Sequence, residues 1–196
     1  MQQYFINQSK DERVLLDNII NGIFNKAKYN IEYYFTAAES QDVYDAYVML
    51  FDKETHSMRK SYVIEMKIRN THYDDLMLEK IKYKDLKAVS VGTGASILYI
   101  NTTPQGTYIF NLSELDYLEN VDWNERKYNK KTLDKSYGKV NKLETKLDIK
   151  LAKTYPLKQS DLELLKANKE VKSLLKKTIE KQKRCFCLYR DVFGVA

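Results

Sequence analysis

Asp45, Glu65 and Lys67 are the residues of this chain whose types and spacing could do chemistry together. A Glu-x-Lys triplet is cheap, and the sequence has four, at Glu65-Met66-Lys67, Glu125-Arg126-Lys127, Glu144-Thr145-Lys146 and Glu170-Val171-Lys172. The first stands apart by its setting. Tyr62, Ile64, Met66 and Ile68 alternate with Val63, Glu65, Lys67 and Arg69, the period-two pattern of a strand, so Glu65, Lys67 and Arg69 share one face. In the preceding apolar run, Tyr44, Ala46, Val48 and Leu50 alternate with Val43, Asp45, Tyr47 and Met49, leaving one acid in otherwise uncharged sequence. Asp is a poor strand former, and its presence there asks for a reason other than folding.

If the two runs pair around a connector centred near His56, opposed residue numbers sum to about 112, which sets Asp45 across from Lys67 and Tyr47 across from Glu65. Opposed side chains point the same way, so both carboxylates and the ammonium converge. Two carboxylates roughly 4–6 Å apart can hold a Mg²⁺ ion that keeps several of its waters and lowers the pKa of one of them. An adjacent lysine can then orient the attacking water or stabilise charge on a phosphoryl centre. Mn²⁺ is expected to substitute. The plain alternative is a cross-strand salt bridge on an exposed face, worth under about 1 kcal/mol. It accounts for one pair, but not for acids interrupting the two most strand-like segments of the chain.

Around this trio stand weaker candidates. Arg69 shares the face and could clamp a phosphate with its planar fork. Glu39 or Glu12 could add a ligand, with a solvated acid as the ordinary reading of each. Asp42 is the rival to Asp45, but it falls on the opposite strand face and before the apolar run. His56 and His72 are separated and lack a partner acid or cysteine, so bystander roles are expected. Gly92-Thr93-Gly94 lacks the trailing Gly-Lys-Ser/Thr of a phosphate-binding loop and reads as a turn.

The elements that must position these residues are legible in outline. Asp11 to Lys28 sets Val14, Leu15, Ile19, Ile20, Ile23 and Phe24 at helical spacing. Ile31 to Thr36, Val43 to Phe51 and Ser61 to Arg69 read as strands, the last two as a hairpin. Tyr73 to Val89 predicts a helix packed on a sheet. Ser96 to Ile100 and Thr107 to Leu112 predict two further strands around Pro104-Gln105-Gly106. Ser113 to Tyr155 predicts short helices and irregular basic segments. Ser160 to Gln182 predicts an amphipathic helix that opens with a Ser160–Glu163 capping box. The fold class expected is α/β (α+β), with a core over residues 1–113 and a basic, mainly helical extension over 114–196 packed on it.

With 43% hydrophobic and 31% charged residues, six Gly and two Pro, the composition is that of a folded domain. No run has the length of a bilayer span, and Met1 to Lys10 lacks the features of a signal peptide, so a cytoplasmic protein without membrane partners is expected. Cys185 and Cys187 are one residue apart, too close for an unstrained disulfide and too few for a zinc site. The net charge of +6 is concentrated in residues 114–196, which hold 20 Lys+Arg against 13 Asp+Glu. There Lys130, Lys131, Lys135, Lys139, Lys142, Lys146, Lys150 and Lys153 recur every few residues, a stripe suited to phosphates and hence to DNA, or else a solvated lysine-rich face. The sixteen tyrosines could stack on bases, though core and rim roles are expected for most.

Asp45, then nineteen residues, then Glu65-Met66-Lys67 in a helix-strand-strand-strand-helix-strand order resembles the PD-(D/E)XK nuclease superfamily over roughly residues 11 to 112. The resemblance implies a restriction-endonuclease-like core with a central mixed sheet flanked by helices, and a Mg²⁺-dependent deoxyribonuclease. Asp45 and Glu65 would bind metal, the Met66 carbonyl would be a further ligand, and Lys67 would be the catalytic lysine. Glu79-Lys80-Ile81-Lys82-Tyr83 has the spacing of the Gln-x-x-x-Tyr motif of the branch similar to RecB and phage exonucleases, with Glu in place of Gln. It would set Glu79 and Tyr83 on one helix face toward DNA. A phage or mobile-element setting is a further expectation; symmetric cutting would require a homodimer, for which Ser160 to Gln182 is a candidate interface, with packing on its own core as the ordinary reading of that helix. The alternative is a nucleic-acid-binding or protein-interaction module that keeps the fold without turnover.

Overall fold

A computed structural model describes the backbone of residues 2–37, 42–129 and 138–193, and the side chains of residues 10–37, 42–129, 138–174, 176–178 and 180. Glu39, Lys130, Lys131 and Lys135 lie outside the described residues, as do the side chains of Cys185 and Cys187. The chain runs α1 (Gln2–Ile23), β1 (Tyr29–Phe35), β2 (Ala46–Asp52), β3 (Met58–Ile68), β4 (Asp75–Glu79), α2 (Lys80–Thr93), β5 (Ser96–Thr103) and β6 (Gly106–Asn111). Two short 3-10 turns follow, then β7 (Asn124–Asn129), β8 (Lys139–Asp148), β9 (Lys153–Tyr155) and α3 (Gln159–Phe193). None of the described helices is long and apolar enough to cross a membrane.

Alternation in the strands builds two cores, one on each face of a mixed six-stranded sheet of order β1-β2-β3-β5-β6-β9. Ala46, Val48, Leu50, Ile64, Met66, Leu98, Ile100 and Ile109 point to one side, where Leu15, Leu16, Ile19 and Ile20 of α1 and Leu165 of α3 close over them. Val63, Ile97, Tyr99, Tyr108 and Phe110 point to the other, where Tyr83 and Leu86 of α2 meet Leu76, Leu78 and Leu147 of a second, three-stranded sheet of order β4-β8-β7. The fold is α+β, with a mixed sheet between helical layers, as expected. Packing of β9 against α1 is tight: a Cβ on Gly22 would fall 1.9 Å from the Tyr155 hydroxyl, so a larger residue there would have to displace the Tyr155 ring.

Three local expectations are corrected. Tyr73 to Val89 is not one helix, because Leu76 and Leu78 are both buried at strand spacing and pair with β8 before the helix begins at Lys80. Helix α2 then runs on to Thr93 and is stopped by Gly94, whose φ of 71° suits glycine and whose N–H donates to the Ser90 carbonyl. Residues 113–155, expected as short helices and irregular segments, supply β7, β8 and β9. At the start of α3 the capping contact comes from Asp161 in the helix's first turn rather than from a Ser160–Glu163 pair: its carboxylate reaches back to accept from the Lys158 N–H at 3.0 Å, and it also accepts from the Asn18 side chain at 3.1 Å.

Candidate active site

The hairpin of β2 and β3 sets the register on which everything at the site depends. Its turn is fixed by Asp52, whose side chain accepts from the N–H groups of Glu54 and Thr55 at 3.0 and 3.1 Å, and by His56 with φ of 54°. Phe51 pairs with Met58 but Leu50 pairs with Lys60, a bulge that leaves Arg59 unpaired. Beyond it Tyr47 faces Val63 and Ala46 faces Ile64. The register is therefore two residues away from the one expected: Tyr47 is not opposite Glu65, and its continuation brings position 45 level with Glu65 rather than Lys67. A shift of two keeps every side chain on its face, so the convergence survives the correction.

Asp45 sits just before β2, where Met66 has passed the end of the paired strand. Its carboxylate accepts the Met66 N–H at 2.7 Å, and its own N–H donates to the Ile64 carbonyl at 2.8 Å. An acid in this apolar run thus has a local structural task, completing the ladder where no strand residue does so. The Met66 side chain is fully buried in the core under α1, which leaves only its backbone for any other part.

Glu65 is 1% exposed and belongs to the same face as Lys67. Its Oε1 is in ion-pair contact with the Lys67 ammonium, and its Oε2 accepts from the Lys82 ammonium of α2 at 3.2 Å. Lys82 also donates to the Val43 carbonyl at 3.0 Å, tying α2 to the segment that carries Asp45. Burial raises the Glu65 pKa, the two lysines oppose that rise and Asp45 adds to it. For Lys67, burial works against the charge, but Glu65, Glu12 and Asp45 together raise its pKa. It is an ammonium at any working pH.

Helix α1 brings Glu12 to the same place, which sequence had ranked as an ordinary solvated acid. Glu12 Oε1 accepts the Ile68 N–H at 3.4 Å, and burial, set against the attraction of Lys67, pushes its pKa up to about 7, with Asp45 and Glu65 contributing repulsion. Because the folded value lies above the ordinary 4.5, the stabilisation from a protonated Glu12 is complete below pH 4.5 and is lost as pH rises through about 7. Glu12→Gln, which keeps an acceptor for Ile68, is therefore expected to raise stability in EDTA at pH 8 by up to about 3 kcal/mol and to change it little at pH 4.5. Thermal melts of the two proteins across that range check it.

Arg69 is on the expected face but is already engaged. Its guanidinium donates to Asn101 Oδ1 at 3.0 Å, to the Met77 carbonyl at 3.2 Å and to the Tyr99 hydroxyl at 3.2 Å. Asn101, level with Lys67 in the parallel pairing of β3 with β5, is wholly buried. This polar network backs Lys67, and neither Asn101 nor Tyr99 carries a signal in the sequence that separates it from core strand residues. Arg69 and Asn70 also line a cavity of about 240 Å³ with Lys166 and Lys169 of α3.

Glu79 and Tyr83 do not share a helix face. Glu79 is the last residue of β4, with extended backbone (φ −81°, ψ 136°), and its carboxylate takes the Lys142 ammonium at 2.8 and 3.0 Å. Tyr83 is buried, stacks on Trp123 and donates to Glu119 at 3.2 Å. The lysine stripe is likewise broken up: Lys142 and Lys146 pair with Glu79 and Asp75 of β4, while Lys150 and Lys153 lie in later elements.

Among the described residues, no three His, Cys, Asp or Glu side chains are gathered closely enough to cage an ion unaided. Mg²⁺ does not need that, since it keeps several waters and binds through one or two carboxylates. Asp45 and Glu65 form an all-oxygen donor pair, the donor chemistry that a hard divalent cation takes, with Glu65 Oε1 held at present by the Lys67 ammonium. No protein-family model matches the chain, and no curated protein matches it. Among solved structures it is similar to Archaeoglobus fulgidus Hjc, a Holliday junction resolvase from an archaeal hyperthermophile, with 16% identity over 72% of this chain and 94% of that one and a TM-score of 0.41.

Proposed function

We propose that the chain is a divalent-metal-dependent nuclease of the PD-(D/E)XK type that hydrolyses phosphodiester bonds in DNA. The observation that carries this reading is the gathering of Asp45, Glu65 and Lys67 on one face at the carboxyl end of β3, with Glu12 and Lys82 brought to them by the two helices. Three acids and two cations packed this closely are costly for stability alone. Burial raises the pKa of two of the acids, so holding them charged beside one another opposes folding, as is common where side chains are arranged for chemistry.

Asp45 and Glu65 would hold Mg²⁺, with the Met66 carbonyl beside them. The ion, when bound, would neutralise phosphate charge and make a water more acidic. Lys67 keeps its proton, so its task is to orient the nucleophile or to stabilise the phosphorane-like charge by a short donor contact, not to accept a proton. Lys82, donating to Glu65 Oε2 and to the Val43 carbonyl, would orient that carboxylate toward the ion and balance part of its charge. Arg69, held by Asn101, Tyr99 and the Met77 carbonyl, positions the strand end behind Lys67 rather than gripping a phosphate. DNA contacts by Lys130, Lys131 and Lys135 remain part of the proposal, as do a cytoplasmic setting and a homodimer. Direct DNA contact by Glu79 is not retained, because its carboxylate is taken by Lys142.

The test is cleavage of supercoiled plasmid by the whole chain. Nicked or linear product is expected with Mg²⁺ or Mn²⁺ and none with EDTA. Cleavage that persists in EDTA, or its absence with both metals from a folded protein, would remove the reading.

A further inference from the structure

A basic surface lies on the other flank of α2. The helix turns Lys82 toward Glu65, and Lys80, Lys84 and Lys87, at i, i+4 and i+7, fall roughly half a turn away from it. These three lysines rim a groove of about 420 Å³ whose floor includes Tyr83, Leu118 and Trp123. The Tyr83 and Trp123 rings stack at 5.8 Å and 28°, and the Lys80 ammonium lies 5.7 Å from the indole centroid. Glu119 is the only acid among the lining residues, and it is occupied by Lys87 at 2.6 Å and by the Tyr83 hydroxyl. The groove therefore carries a net positive charge above an aromatic floor, in a volume within the range of small-ligand clefts, roughly 300–1,000 Å³.

We propose that this groove binds an unpaired nucleotide segment, with a base taking the place over the Trp123 ring that the Lys80 ammonium now holds, and its backbone phosphates on Lys80 and Lys84. Lysines alone would serve any polyanion. What selects single-stranded nucleic acid is the aromatic floor, because an unpaired base offers a π-face that a duplex hides and an acidic peptide lacks. A duplex engaged at Glu65 would lie on the opposite flank of the same helix, so a strand opened at that site would cross the start of α2 to reach the groove. The binding claim stands on the groove's own residues and does not need the nuclease reading.

Trp123 is the only tryptophan in the chain, so its emission reports the groove directly. The whole chain in EDTA, where no hydrolysis is expected, is titrated with oligothymidylate, with a blunt duplex of equal length and with polyglutamate. Saturable quenching by oligothymidylate alone is expected, weakening with salt. Lys84→Glu, an exposed change that leaves the melting temperature in place, is expected to weaken it about tenfold, and Lys80→Glu serves as a second variant. No quenching, quenching unchanged by both substitutions, or equal quenching by polyglutamate or duplex overturns the proposal. Metal-dependent plasmid cleavage by Lys84→Glu is measured alongside. Its retention with loss of quenching separates the groove from the Glu65 site, and quenching without any cleavage by the unmodified chain would fault the nuclease reading alone.

Discussion

Lys67→Ala is expected to lower metal-dependent DNA cleavage by about 10²–10³-fold, the usual effect of removing one donor aimed at developing charge. Lys82→Ala provides the control, because both lysines hold the same buried carboxylate. Each removal leaves Glu65 with one cation, and since both side chains keep some solvent access, each should cost only about 1–2 kcal/mol of stability. If Lys67 acted through Glu65 alone, the two variants would lose activity together. The account expects comparable melting temperatures but a much larger fall in turnover for Lys67→Ala, at unchanged metal affinity. Asp45→Asn belongs in the same series. It retains an acceptor for the Met66 N–H, so folding should be kept while metal-dependent cleavage is lost. Measured rates at saturating Mg²⁺, with melts beside them, decide the matter.

Phe110→Ala is expected to give the largest loss of stability, about 3–5 kcal/mol. Its ring is wholly buried between the six-stranded sheet and the layer formed by α2, β4 and β8, in the cluster that contains Leu76, Leu78 and Leu147. For a chain of this size such a loss lowers the melting temperature by roughly 10 °C. Because β8 pairs with β4 and β9 completes the edge beside β6, residues 114–155 are expected to unfold together with the core. One transition, moved as a whole by Phe110→Ala, is the expected result. Two transitions of which only one moves would mean that the second sheet folds by itself.

How far the sequence spoke depended on whether burial left a period in it. Strand β3 was legible because Ile64 and Met66 face one core while Val63 and Glu65 face the other side, and this alternation placed Glu65 and Lys67 on one face correctly. Register was not legible, since it rests on the Asp52 turn and on a bulge at Arg59 that no composition marks. β4 was hidden because Leu76 and Leu78 are followed without Gly or Pro by a lysine-rich helix, so strand and helix merged into one plausible period. β7 could not be seen at all: it is an exposed edge strand of Asn, Glu, Arg and Lys in which only Tyr128 is half-buried. Lys82 looked like any other helix lysine, and only the packing of α2 against β3 turns it toward Glu65. Glu12 gives only a weak signal, because helical spacing reveals which residues sit near the apolar face, but not that the helix passes the end of a particular strand.

The most direct measurement is the anomalous scattering of a crystal soaked in Mn²⁺. An ion bound jointly by the side chains of Asp45 and Glu65, with Lys67 within reach of one of its waters, is what the account predicts. An ion held elsewhere, or both carboxylates left bound to Lys67, Lys82 and Met66 at saturating Mn²⁺, would contradict it.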